Sequence, residues 1–156
     1  MDYKITPITK LFQFLTVLFM TREEFKNIAE IRIREARCLL DQGLNSGAYY
    51  LAGYALECAI KACLSKQILQ HNIPEKKFIN EIHTHDLQKL IKFDEELSAS
   101  FREQSGNNDF ITNWSLVKDW SEQSRYKTYN KNQAEELIEA ITKEKGGVLP
   151  WIQQYW

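Results

Sequence analysis

Charged and aromatic side chains alternate along residues 114–131 in a pattern that suits a phosphate site. A guanidinium or ammonium group binds phosphate, and an exposed ring stacks on a base. The residues concerned are Trp114, Lys118, Trp120, Arg125, Tyr126, Lys127, Tyr129 and Lys131. The segment therefore predicts a phosphate pocket with a stacking wall. A structural interpretation stays open, in which Trp114 and Trp120 are core residues and Arg125 caps helix carbonyls.

A second candidate is Glu57, on a stretch over residues 49–64 that is too apolar for a surface helix. A carboxylate on a mostly buried helix needs a partner. Arg125 is one candidate, across a cleft or across a dimer interface. Lys61 is the competing one, because Glu four residues before Lys is the favourable order on a helix. Both could join one network.

Other polar and aromatic residues carry weaker signals. Tyr50 and Tyr54 flank Gly53 and could line a nucleotide pocket, although filling the gap left by a glycine is the more common role. His83 and His85 lie two apart, point in different directions on a helix and have no completing ligand, so no metal site is predicted. We expect no cofactor. Asp86 and its neighbour His85 instead suit a helix start.

Composition limits the classes of function. The chain has 156 residues, 20 Lys plus Arg and 21 Asp plus Glu, for a net charge of −1. Bulk charge therefore favours no nucleic-acid partner, and any anion site must be local. Cys38, Cys58 and Cys63 all fall in apolar helical patterns, which predicts buried thiols in a reducing compartment and so a cytoplasmic protein.

Residues 1–19 are predicted to form an apolar extension to a single domain over residues 20–156. The apolar run 11–20 is about half the length of a membrane span. Two lysines precede it, but no small-residue cleavage site follows, so we do not favour a signal peptide. The remaining interpretations are an element packed on the domain, a surface that covers a dimer partner, or an upstream extension before a natural start at Met20.

The remaining pattern is helical and predicts an all-α bundle. A capping box at Thr21 and Glu24 should begin the first helix, and Gly43 should end it. The central helix should be capped by Asn45 or Ser46 and run to about residue 71. Ala48, Ala52, Ala55, Ala59 and Ala62 give it a stripe of small residues that a second helix can approach closely.

The segments after the central helix show the same helical spacing of apolar residues. Pro74 should open a short segment that contains Phe78 and Ile82. A third long helix should begin at Thr84 or His85 and end in the turn over residues 105–108, and further helices are predicted over 109–121 and 132–145. An apolar clasp should follow Gly146, Gly147 and Pro150 at the C-terminus, formed by Val148, Leu149, Trp151 and Ile152.

Several of these features together resemble the HEPN domain family, named for nucleotide binding in higher eukaryotes and prokaryotes. The resemblance spans about residues 20–156. It rests on a charged first helix, the run Gly53-Tyr54-Ala55-Leu56-Glu57-Cys58, the run His83-Thr84-His85-Asp86-Leu87, then Trp120, Ser124-Arg125-Tyr126 and Gly147-Val148-Leu149-Pro150. It implies an up-and-down bundle of four to five helices, a homodimer whose cleft holds the functional residues, and in many members a role in toxin–antitoxin or defence systems, some with a minimal nucleotidyltransferase partner.

Ribonuclease members of that family share an arginine followed, after four to six intervening residues, by a histidine. Arginine holds phosphate, and histidine can take a proton from the RNA 2′-hydroxyl. Here Arg125 matches the arginine, but the later positions are Asn130, Lys131 and Asn132, and no histidine follows. Asn130 can still hydrogen-bond a phosphate, ribose or base.

Three functions remain open. The first is a dimeric nucleotide- or RNA-binding module that uses Arg125, Tyr126, Lys127, Tyr129 and Asn130, with Glu57 as a partner for the arginine. The second is a metal-independent RNase in which Arg125 and Asn130 serve an atypical active site. The third is a structural interaction domain. No membrane partner is predicted.

Overall fold

A computed structural model describes residues 20–69 and 82–156, and all regular structure in these ranges is helical. The seven α-helices are α1 Arg22–Asp41, α2 Asn45–Leu69, α3 Leu87–Phe93, α4 Glu95–Glu103, α5 Asn108–Val117, α6 Lys131–Thr142 and α7 Val148–Ile152. Short 3₁₀ turns lie at Gln104–Gly106 and Glu122–Tyr126. The predicted all-α class is confirmed.

The two longest helices form an antiparallel pair. The predicted capping box is present, since Glu24 N donates to Thr21 Oγ1 at 3.2 Å and Thr21 N donates to Glu24 Oε2 at 2.6 Å. Gly43 has the positive φ of 74° that the predicted stop requires. The short turn therefore returns the chain alongside α1.

Helix α2 is the centre of the molecule. It packs against α1, α3, α6, α7 and the second 3₁₀ turn. The five alanines of its predicted stripe are all fully buried, as are Ala29 and Ala36 of α1. Neither predicted cap operates: Asn45 Oδ1 has no hydrogen-bond partner, and Ser46 Oγ accepts instead from the backbone N–H of Tyr129, at 2.9 Å.

The predicted third long helix is divided in two at Asp94. The Asp94 residue is 4% exposed and extended, with φ −100° and ψ 118°, and its Oδ1 accepts from Leu97 N at 2.9 Å. When an aspartate side chain hydrogen-bonds to the backbone as the N-cap of one helix, that conformation competes with continuation of the preceding helix. The cap of α3 is Asp86, whose Oδ1 accepts from Lys89 N at 3.0 Å, so the predicted start at Thr84 or His85 was too early.

The C-terminal clasp is present and forms the short helix α7. Trp151 packs edge-on against Phe110, and its Nε1 donates to Ser100 Oγ at 2.9 Å. The Tyr155 hydroxyl donates to the same oxygen at 2.7 Å. These contacts fix the end of the chain on the domain's own core.

Cysteine burial was predicted correctly at two of three positions. Cys58 and Cys63 are buried, and burial raises the pKa of Cys58 to about 11 and that of Cys63 to about 12. Cys38 is exposed, because it lies on the outer side of α1, whose buried residues are Ala29, Ile33 and Ala36.

Some predictions lie outside the described residues. These are the apolar extension over 1–19, the end of the central helix at about residue 71, and the segment opened by Pro74 with Phe78. Within residues 20–69 and 82–156, no helix combines the length and apolar character needed to cross a membrane.

Candidate functional site

A cleft of about 470 Å³ lies where the start of α3 meets the connection that follows α5. Its lining includes His85, Asp86, Lys118, Asp119, Trp120 and Glu122. The walls therefore carry an imidazole, an ammonium group and several carboxylates. Helix α2 lies beneath this cleft and supplies the buried groups that hold its walls.

The buried carboxylate of Glu57 connects α2 to the cleft. Glu57 is 2% exposed, and its Oε1 accepts from Lys61 Nζ at 2.8 Å. His85 Nδ1 lies 2.9 Å from both carboxylate oxygens. The predicted pair with Lys61 is confirmed, and the second partner is His85 rather than Arg125, which makes no ion pair with Glu57 in the described chain.

The geometry of this pair orients the imidazole ring. A carboxylate only accepts hydrogen bonds, so His85 Nδ1 carries a proton and donates to Glu57. In the neutral ring Nε2 is then the nitrogen with a free lone pair. The His85 side chain is 45% exposed although its partner is buried, so one end of the ring is fixed and the other is open.

Trp120 belongs to the cleft lining, but its ring is packed into the core and is almost fully buried. Its ring is 2% exposed and lies so close to Gly53 that a Cβ there would be 2.3 Å from three ring atoms. Trp120 thus fills the gap left by Gly53, where the sequence had indicated the neighbouring tyrosines. Trp114 is also buried, at 7% exposed, so both tryptophans are core residues and neither offers a free face for stacking.

Arg125 stands beside this cleft on the second 3₁₀ turn. Arg125 follows Glu122 of the cleft wall by three residues on this turn, but its own side chain is not among those that line the cleft. A hydrogen bond from the side chain of Gln123 lowers the pKa of Glu122, and the charges of His85 and Arg125 lower it further. Glu122 therefore lies within electrostatic reach of both His85 and Arg125.

Arg125 and its neighbours are free for a ligand. Arg125 Cζ lies 5.1 Å from the ring centroid of Tyr126, and that tyrosine is 75% exposed. Lys127 is exposed as well. Arg125, Lys127 and Lys118 form no salt bridge with any described residue. The segment thus presents unpaired cations next to an accessible ring.

Tyr129 and Asn130 are occupied by structural contacts. Tyr129 stacks on Tyr49 with centroids 3.6 Å apart, and its hydroxyl donates to Ser124 Oγ at 3.2 Å. Asn130 is the N-cap of α6, where its Oδ1 accepts from Gln133 N at 2.9 Å. These contacts fix the chain directly after Arg125 and leave less of both side chains for a ligand.

Sequence reasoning missed the part that His85 takes in the site. Nothing in the spacing joins residues 57 and 85, which are 28 positions apart and meet only through the packing of α3 on α2. The available signal was that a buried carboxylate needs partners. That requirement could have placed each histidine among the candidates, as it did Arg125.

Comparison with known families gives one finding. A family model described as HEPN domain matches residues 22–145. The match covers α1 through α6 and so includes Glu57, His85 and Arg125. Comparison with curated proteins and with solved structures gives no significant match.

Proposed function

Because the chain belongs to the HEPN domain family, we propose that it is a nucleotide- or RNA-binding module that holds phosphate at Arg125. The observation that carries this proposal is the guanidinium of Arg125, which forms no salt bridge with a described residue and lies beside the exposed ring of Tyr126. A guanidinium binds phosphate through paired donors, and an exposed ring stacks on a base of any sequence. Lys127 adds a second cation on the same exposed segment.

The cleft next to Arg125 suits the uncharged parts of a nucleotide. Asp119 and Glu122 line it, and carboxylates accept hydrogen bonds from ribose hydroxyls and base amino groups. The same carboxylates repel phosphate, so the phosphate belongs on the cationic rim at Arg125 and Lys127. Tyr129 and Asn130 support that rim through their contacts behind it.

The proposal also includes the oligomeric state of the protein and a partner protein. Family resemblance supports a homodimer and a minimal nucleotidyltransferase partner in a toxin–antitoxin or defence setting. Light scattering during size-exclusion chromatography measures the mass directly, and a monomer at every concentration would contradict the dimer.

Equilibrium titration of a labelled single-stranded RNA against Arg125→Ala tests the binding site. Arg37→Ala is the matched control, since Arg37 is exposed on α1 and forms no salt bridge with a described residue. We expect Arg125→Ala to weaken binding by about tenfold or more, which corresponds to the ~1.5–3 kcal/mol of a charge-assisted hydrogen bond, and Arg37→Ala to bind as wild type. Equal affinity of the two variants would contradict the site.

A further inference from the structure

A second cavity, the α3–α4 pocket, has a volume of about 360 Å³. Most of its lining is two sets of side chains at the same spacing, Gln88, Ile91 and Lys92 of α3 and Ser98, Phe101 and Arg102 of α4. Residues three and four apart share one face of a helix, so each helix presents a hydrogen-bonding group, an apolar group and a cation. The volume lies within the ~300–1,000 Å³ of pockets that hold small organic ligands.

The floor of the α3–α4 pocket is apolar. Trp114 of α5 completes it, and the Phe101 ring packs edge-on against the Trp114 ring with centroids 5.2 Å apart. Ile91 is 3% exposed and Trp114 is 7% exposed, so both side chains are held in the core. An apolar ligand group would therefore meet a surface that is already packed in place.

The charged side chains of the α3–α4 pocket are both cationic. Lys92 and Arg102 form no salt bridge with a described residue, and Arg102 Nη1 donates to Ser98 Oγ at 3.2 Å. No carboxylate is among the described residues that line this pocket. The cleft at the start of α3 differs, because Asp119 and Glu122 line it. Charge complementarity therefore favours an anionic ligand in the α3–α4 pocket.

We propose that the α3–α4 pocket binds a small organic carboxylate with an apolar body. The carboxylate accepts hydrogen bonds from Lys92 and Arg102, and the apolar body lies on the floor that Phe101 and Trp114 form. A single negative charge suits this floor better than a phosphate dianion, because a dianion costs more to remove from water. Binding here does not require the phosphate site, since Arg125 is not among the residues that line this pocket.

Isothermal titration calorimetry of the full chain with 3-phenylpropanoate tests this proposal. Two further probes separate the two halves of the ligand: 3-phenylpropanamide keeps the apolar body without the charge, and acetate keeps the charge without the apolar body. We expect saturable binding of 3-phenylpropanoate at one site per chain. Both other probes should bind more weakly by about tenfold or more, because each lacks one of the two groups that the pocket contacts.

Charge-removing variants place the ligand in the pocket. Lys92→Gln and Arg102→Gln each keep a long polar side chain, and both positions are exposed, so the core is left unchanged. We expect each to weaken binding of 3-phenylpropanoate by about tenfold. Lys89→Gln is the matched control, because Lys89 is exposed on the same helix and does not line the pocket. It should bind as wild type, and far-UV circular dichroism verifies that each variant is folded.

Four results would overturn the proposal. The first is no saturable binding of 3-phenylpropanoate by wild type up to about 10 mM. The second is equal affinity for the acid and its amide, and the third is wild-type affinity in both Lys92→Gln and Arg102→Gln. The fourth is binding of a peptide that ends in phenylalanine, or of single-stranded RNA, that depends on Lys92 and Arg102 while the small acid does not bind. That result would assign the two cations to a macromolecular partner instead.

Discussion

The contact between Gly53 and Trp120 makes a stability prediction that can be worked out from the structure. A Cβ in Gly53→Ala would lie 2.3 Å from Cγ, Cδ1 and Cδ2 of Trp120, and ordinary contact begins at 3.4 Å. The ring must therefore shift by about 1 Å, since its atoms cannot interpenetrate the new methyl group. Trp120 is 2% exposed, so packed neighbours surround most of the ring and resist that shift.

The expected loss follows from two opposing effects. Overpacking costs up to about 3 kcal/mol in a packed core, and the high end applies because a rigid ring has to move. Alanine recovers about 1 kcal/mol through its higher helix propensity than glycine at position 53. The net decrease in the free energy of unfolding is about 2 kcal/mol, and for a chain of this size the Tm should fall by about 4–8 °C.

Urea and thermal unfolding of Gly53→Ala measure this effect. Gly106→Ala is the matched control, because nothing lies within 4 Å of a Cβ at Gly106, and it should be neutral or slightly stabilising. In a Trp120→Ala background the clash is gone, so adding Gly53→Ala should no longer destabilise. The same cost in both backgrounds, or a cost no larger than that of Gly106→Ala, would refute the reasoning.

Three further predictions concern thiols and a helix cap. In the folded protein a thiol reagent should modify exposed Cys38 quickly and buried Cys58 and Cys63 slowly, and equal rates counted by mass spectrometry would contradict the burial. Burial raises the pKa of Cys58 to about 11 and of Cys63 to about 12 from an ordinary 9.0, so the unfolded chain loses these protons first. The free energy of unfolding should therefore fall as pH rises above about 9. Urea unfolding across that range should show a smaller fall in Cys58→Ala. Asn130→Ala should lower the free energy of unfolding by about 1 kcal/mol through loss of the α6 cap. Asn130→Asp should keep the cap, and equal losses in the two variants would contradict it.

Local sequence signals were sufficient for both ends of α1. The capping box at Thr21 and the stop at Gly43 were predicted correctly, because both act within one turn of chain. The break at Asp94 was missed because the apolar period continues across it from Ile91 to Leu97. Helix α3 ends because Asp94 is extended and its side chain caps α4. The periodicity of apolar residues does not predict that conformation.

Site contacts were predictable only where they are local. Lys61 was found as a partner of Glu57 because four residues on a helix fix their distance. His85 was not, because it reaches Glu57 through tertiary packing across 28 positions. For the same reason Trp120 was not assigned to the gap at Gly53, which lies 67 positions earlier in the chain.

Photo-crosslinking of a bound RNA that carries thiouridine, followed by mass spectrometry of the linked peptides, tests the central claim most directly. The account predicts crosslinks on the segment that contains Lys118, Arg125 and Tyr126, with loss of crosslinking in Arg125→Ala. Crosslinks confined to α1 or to the C-terminal clasp, and unaffected by Arg125→Ala, would contradict it.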